Sequence, residues 1–191
     1  MDMHDPPGGL HAFLRAYYHV KSADWPQNKP HPLSGWTAGA LSELPHYYVM
    51  PLRIGMPAAV APHAPSAVHA ARCAWLPDAD LSVYAAEFAR TGFQGSLNWY
   101  RCITDPAQMD ELRMFDGARI GVPACYVAGA ADWGIYQSPG AFERMQHDVC
   151  TQMLGVHLLA GAGHWVQQER ATEVSSLLLE FLRQARNLSR A

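Results

Sequence analysis

The last third of the chain constrains its fold most. Two short apolar runs, Ala124–Gly129 (ACYVAG) and Val156–Ala160 (VHLLA), are bounded by proline or glycine, and each is followed by a helix-spaced segment. Strand, helix, strand, helix predicts a parallel pair joined by a crossover, the unit of an α/β sheet. The crossover helix is expected over 139–148 and the final helix over 171–187. That last segment places Val174, Leu177, Leu178, Phe181 and Leu182 at i, i+3, i+4, i+7 and i+8, the pattern of one buried face. Parallel sheets are covered on both faces and need more than two strands. An open parallel edge is also a template for pairing with another chain.

Upstream the reading is helical. Leu10, Phe13, Leu14 and Tyr17 share one face of a helix expected over 10–20, entered through Gly8-Gly9. Prolines 26, 30 and 32 make 22–33 an irregular loop. A helix over 36–44 ends before Pro45, and Pro51 and Pro57 break 46–60 into short pieces. Leu81, Tyr84, Ala85 and Phe88 form a further stripe, with Asp78 or Asp80 suited to the N-terminal cap and Gly92 to the stop. A turn of helix through Asn98–Arg101 follows, then a helix from Pro106 to Phe115 ended by Gly117.

Composition removes several classes of function. Of 191 residues 49% are apolar and 16% charged, which excludes intrinsic disorder. Net charge is −3, and the basic residues, mostly arginine, are scattered, so no stripe exists to neutralise phosphates; no nucleic-acid partner is expected. The longest apolar stretch, Val122–Ala131, is of strand length, so no membrane partner is expected. The start, MDMHDPPGGL, lacks a basic and an apolar segment in signal-peptide order, which makes a cytoplasmic location the expectation. Cys73, Cys102, Cys125 and Cys150 form no CxxC pair, and the ten histidines show no metal-binding spacing. No metal and no cofactor are therefore expected.

In open parallel sheets chemistry gathers beyond the carboxyl ends of the strands. The first strand leads into Gly129-Ala-Ala-Asp132-Trp-Gly134 and the second into Gly161-Ala-Gly-His164-Trp165. A carboxylate can orient an imidazole and stabilise its protonated form, leaving the second ring nitrogen to take a proton. Taken singly, Asp132 could merely cap a helix and His164 could sit in a turn. Their joint placement after consecutive strands favours a base and its orienting partner.

These residues also carry a resemblance. GAGHWVQQERATEV before an amphipathic helix resembles the histidine segment of α/β hydrolases of the epoxide hydrolase type, and VPACYVAGAADW is similar to that family's acid-bearing strand. TGFQGSLNWYR at 91–101 resembles its lid segment, while KSADWPQNKPHPL and LPHYYVM are similar to lid sequences of bacterial members. The fold class so implied is α/β: a partial α/β-hydrolase fold, with a helical lid region over 1–105 followed by a two-strand β-α-β-α portion of the core over 106–191. By the same resemblance His164 is the general base, Asp132 its partner, and Tyr100 one of two lid phenols that hydrogen-bond an epoxide oxygen. Tyr47 is favoured as the second phenol, with Tyr48 close by. Trp99 and Phe93, with Tyr48 and Trp165, are expected to shape an apolar substrate pocket. Phenols suit this task because they stay protonated until the ring opens, although such rings also serve as core.

The family's nucleophile, a carboxylate on a sharp strand–helix turn, has no counterpart in this sequence. Asp2, Asp5 and Asp24 lie in Pro- or Gly-rich stretches that do not build such a turn. The expectation is a truncated or split hydrolase, inactive alone, whose partners are a small apolar substrate such as an epoxide and a missing N-terminal half or a second copy. A haloacid or haloalkane dehalogenase-like portion and a non-catalytic binding remnant are the alternatives.

Overall fold

The computed structural model describes residues 3–188; Asp2 lies outside them. The chain forms two compact units. One comprises the residues up to Ala16 together with Arg53–Ala118, and the other Tyr17–Leu52 together with Arg119 onward.

The first unit is helical. It contains the start of α1 (Gly9–Lys21), whose Phe13, Leu14 and Ala16 are buried. After α2 (Ala38–Leu41), which belongs to the other unit, come α3 (Met56–Val60) and α4 (Ala67–Arg72). Next are α5 (Asp78–Thr91), α6 (Gln94–Cys102) and α7 (Pro106–Leu112). Helix α4 was not anticipated; Ser66 caps it by accepting the His69 amide at 3.3 Å. Neither Asp78 nor Asp80 caps α5. Pro77 occupies that position in extended conformation, and Asp78 sits in the first turn, where its carboxylate takes Arg15 Nη2 at 2.6 Å. Arg15 Nη1 also donates to the Leu76 carbonyl at 2.8 Å, so one buried guanidinium ties α1 to the entry of α5. Gly92 stops α5 as expected. Helix α6 starts at Gln94, earlier than the expected turn. Asp105 caps α7 through the Ala107 amide at 3.0 Å, and a 3₁₀ turn carries α7 on to Phe115.

The second unit holds the sheet. Strands β1 (Ala124–Gly129) and β2 (Met153–Leu159) pair in parallel, with Tyr126 opposite Val156 and Val127 opposite His157. The first matches its expected span. The second begins earlier than expected because Gly155 interrupts its apolar pattern. A Cβ there would lie 2.5 Å from His157 Nε2, so the missing side chain makes room for that ring. The crossover helix is cut short: α8 (Ala141–Arg144) passes into a wider turn in which Cys150 N bonds the Met145 carbonyl at 3.0 Å. Helices α9 (Val166–Glu169) and α10 (Ala171–Leu188) complete the unit.

Two apolar clusters stabilise this unit. Ala162, Val166 and Val174 pack with Val127 and Leu159, joining α10 to the sheet. Leu33, Ala40, Leu44 and Trp133 pack with Leu41, Tyr47 and Tyr48, joining α2 and its flanks to the segment after β1. The expected buried face of α10 is realised only in part. Val174 is buried and Leu177 and Phe181 half-buried, but Leu178 and Leu182 are exposed at 47% and 60%. A two-stranded sheet is too narrow to cover the whole stripe. Among the described residues no helix is long and apolar enough to cross a membrane.

Candidate active site

The site grows from the two strand ends. Beyond β1 the chain folds back so that Asp132 N donates to the Gly129 carbonyl at 3.0 Å. Asp132 Oδ1 then accepts the Gly134 amide at 2.8 Å, capping the 3₁₀ turn Trp133–Ile135. Beyond β2, the His164 amide donates to the Lys21 carbonyl at 2.8 Å. Gly163 is required by that approach, since a Cβ there would lie 2.5 Å from the same carbonyl oxygen.

These turns bring the two side chains together. His164 Nδ1 lies 3.2 Å from Asp132 Oδ1 and 3.3 Å from Oδ2. An ionised carboxylate only accepts, so Nδ1 carries the hydrogen and Nε2 is the nitrogen left to take a proton. Burial opposes ionisation of Asp132, but the His164 contact, the Gly134 amide and the charge of Lys21 outweigh it and hold the carboxyl below its usual range.

Glu169 fixes the loop. This buried carboxylate accepts the Gly163 amide at 3.0 Å, the Trp165 amide at 3.1 Å and, from the segment after α1, the Ala23 amide at 2.8 Å. Burial raises its pKa despite those three amides. Trp165 stacks on Tyr18 with centroids 4.2 Å apart and donates Nε1 to the Tyr18 carbonyl at 2.9 Å. It also meets the His164 ring edge-on at 4.9 Å.

Tyr47 lies in the same unit, but its hydroxyl is already engaged, donating to Asn28 Oδ1 at 2.7 Å. Asn28 is held in turn by the Val20 and Ser22 carbonyls at 2.8 and 2.7 Å. Burial, then the charges of Asp132 and Tyr17, push the Tyr47 phenol well above its ordinary value, so it remains a donor. Tyr48 packs against Tyr47 with centroids 5.0 Å apart. Tyr100, Trp99 and Phe93 belong to the other unit. Tyr100 and Trp99 are 57% and 73% exposed on α6, and Phe93 stacks on Phe88 at 4.3 Å.

Sequence reasoning passed over Lys21, Asn28 and Glu169. The available signal was weak: a lysine in the last turn of a helix, and a glutamate five residues beyond the histidine. Among the described residues no group of three His, Cys, Asp or Glu is placed to hold a metal ion.

No family model matches the chain. Similar proteins nevertheless agree. Epoxide hydrolase B of Mycobacterium tuberculosis is 38% identical over 109 residues, which cover 57% of this chain and 30% of that protein. Epoxide hydrolase A of the same organism is 40% identical over 111 residues, covering 57% and 32% respectively. The crystal structure of epoxide hydrolase A from Mycobacterium thermoresistibile superimposes with a TM-score of 0.60 at 33% identity, over 94% of this chain and 50% of that one. The chain thus spans about a third of the length of the curated relatives it matches. Its architecture, helices with a two-strand parallel sheet, is a partial α/β-hydrolase fold. Within that superfamily the chain is similar in sequence and in structure to epoxide hydrolases.

Proposed function

We propose that this chain carries the general-base and lid portions of an epoxide-opening hydrolase, with a lid region over 1–105 and a core portion over 106–191. The observation that carries the reading is the His164–Asp132 pair, seated beyond adjacent ends of parallel strands with Nδ1 committed to the carboxylate. In the complete reaction a carboxylate attacks an epoxide carbon and breaks its C–O bond, giving an ester and an alkoxide. A phenol hydrogen-bonded to that oxygen supplies the proton, the role the resemblance assigns to Tyr100 and to Tyr47, whose hydroxyl would exchange its bond to Asn28 Oδ1 for one to the substrate. Water then attacks the ester carbonyl as His164 Nε2 takes its proton. The bond from the acyl carbon to the substrate oxygen breaks, that oxygen takes the proton from the imidazolium and the diol leaves. The second water proton, released from the regenerated carboxyl, returns to the phenolate. Asp132 keeps the imidazole in the required tautomer and stabilises the imidazolium that forms. Trp165 and Tyr48 supply apolar wall for a small apolar epoxide, the part that the resemblance also gives to Trp99 and Phe93.

No residue of this chain is assigned as the nucleophile. Asp132 is committed to His164, and Asp24 N is tied to Ser22 Oγ in the turn after α1. The test is complementation. The purified chain is expected to show no epoxide hydrolysis above a His164→Ala control. Co-expressed with the N-terminal half of a mycobacterial epoxide hydrolase it should turn over, and His164→Ala in that pair should cost about 10³-fold or more. Turnover of the pair undiminished by His164→Ala refutes the base assignment. Robust His164-dependent turnover by the chain alone places a nucleophile within it.

A further inference from the structure

The Lys21 side chain is buried, ends inside a ring of aromatics, and has no part in the reaction just described. Its Nζ lies 5.3 Å from the ring centre of Tyr17, 5.5 Å from those of Tyr48 and Trp165, and 5.8 Å from that of Tyr47. Tyr17 Oη stands 3.4 Å away, the one hydrogen-bond acceptor that the described residues bring to Nζ. Ring faces carry the negative lobe of the aromatic quadrupole and attract a cation that has left water. The carboxylate whose charge reaches this amine is Asp132, the partner of His164. Among the described residues, the titratable groups placed about Nζ include Tyr17, Tyr47, Tyr48 and Asp132.

We infer that Lys21 is a positioning residue: its ammonium, enclosed by Tyr17, Tyr47, Tyr48 and Trp165 beside the loop its own carbonyl holds, is a built-in counter-charge for the Asp132 carboxylate that His164 contacts. The inference rests on the proposed role of the His164–Asp132 pair but needs no turnover to be tested. Three features support it. Ionising a buried carboxylate is costly, and a nearby cation offsets part of that cost. The backbone carbonyl of Lys21 accepts the His164 amide, so the residue that carries this charge also holds the histidine's backbone. Burial draws the amine down to about 8 while the Asp132 charge resists, so the side chain is cationic at neutral pH and becomes neutral in mildly alkaline solution.

The box is thus a receptor for a primary alkylammonium that the chain fills with its own side chain. Lys21→Ala should empty it, and n-butylammonium is the probe that should refill it. Two readouts apply: the Nδ1–H resonance of His164 in isotope-labelled protein, and the titration of the Asp132 carboxyl carbon. In Lys21→Ala the resonance should be lost and the Asp132 titration should move upward. Butylammonium should restore both, and 1-butanol, which matches its size without the charge, should restore neither. Equal rescue by butanol would reduce Lys21 to a packing residue and overturn the inference. Lys21→Met covers the case in which the alanine variant does not fold, because it keeps the stem and removes the charge. A methionine variant with wild-type Asp132 titration and His164 resonance also overturns it. Loss of both readouts without any epoxide turnover in complementation would leave Lys21 in place and refute the hydrolase reading instead.

Discussion

The loop Gly161–Trp165 and helix α6 carry, in the proposed function, the base and one phenol, and they are held in opposite ways. The loop does not hold itself. Its amides go to the Lys21 carbonyl and to the Glu169 carboxylate, and its tryptophan is stacked and hydrogen-bonded on Tyr18. Helix α6 is locally sufficient. None of its residues is buried, and its side-chain bonds stay within the helix, Asn98 Oδ1 accepting from Gln94 at 3.1 Å and from Arg101 at 3.0 Å. A substitution in the loop therefore disturbs fold and site together, whereas one on α6 reports on function with the fold left alone.

The largest effect expected from breaking this contrast is at Glu169. Glu169→Ala strands the Gly163, Trp165 and Ala23 amides at once, and should cost about 4 kcal/mol in denaturant unfolding. A loss below about 1 kcal/mol would show that the loop holds itself after all.

Lys21 gives the next largest effect, and its sign is testable. Folding draws the amine from 10.5 down to about 8, so between those values the unfolded chain binds the proton more readily. Wild type should therefore gain stability relative to Lys21→Met as pH rises from about 8 to about 10.5, by up to about 3 kcal/mol. Parallel urea curves for the two proteins across that range check it.

Asp132 shows the opposite sense. Its carboxyl is held below the usual range, so its contribution is present at neutral pH and is lost as pH falls through the acid range where it protonates. Asp132→Asn should lack that acid-side loss and be less stable than wild type at pH 7 by about 1–2 kcal/mol. An unchanged acid limb in the variant would separate Asp132 from His164.

The smallest effects belong to α6. Tyr100→Phe and Trp99→Ala should each shift stability by less than about 0.5 kcal/mol, since both side chains are exposed. In the complemented pair Tyr100→Phe should nonetheless slow epoxide opening, because it removes only the donating hydroxyl.

Legibility followed how far apart in the chain the deciding contacts lie. Strand β1 and helix α7 were readable because each is punctuated locally, the first by Pro123 and Gly129, the second by Asp105-Pro106. Strand β2 was clipped because Gly155 silences the apolar pattern where His157 needs the room. The Asp78 cap was misplaced because Pro77, already extended, served in its stead and left the aspartate for Arg15. The single buried face read for α10 was too broad, since periodicity reports what a helix can bury and not how wide a sheet lies beneath it.

By itself the sequence determined the helical stretch that precedes a parallel strand pair, and the placing of Asp132 and His164 beyond neighbouring strand ends. Apolar period and breaker residues act within a few positions, and a right-handed crossover leaves little choice of topology. Only the tertiary structure decided which charges stand around that pair. Lys21 became an internal cation because Tyr47, Tyr48 and Trp165, from distant segments, closed around it. Glu169 became the loop's anchor because Ala23, 146 residues away, came within 2.8 Å. Tyr47 rather than Tyr48 gave its hydroxyl to Asn28 because the loop after α1 had already fixed that amide. Burial and pairing of polar groups depend on what the rest of the chain brings near, and neither composition nor period encodes that.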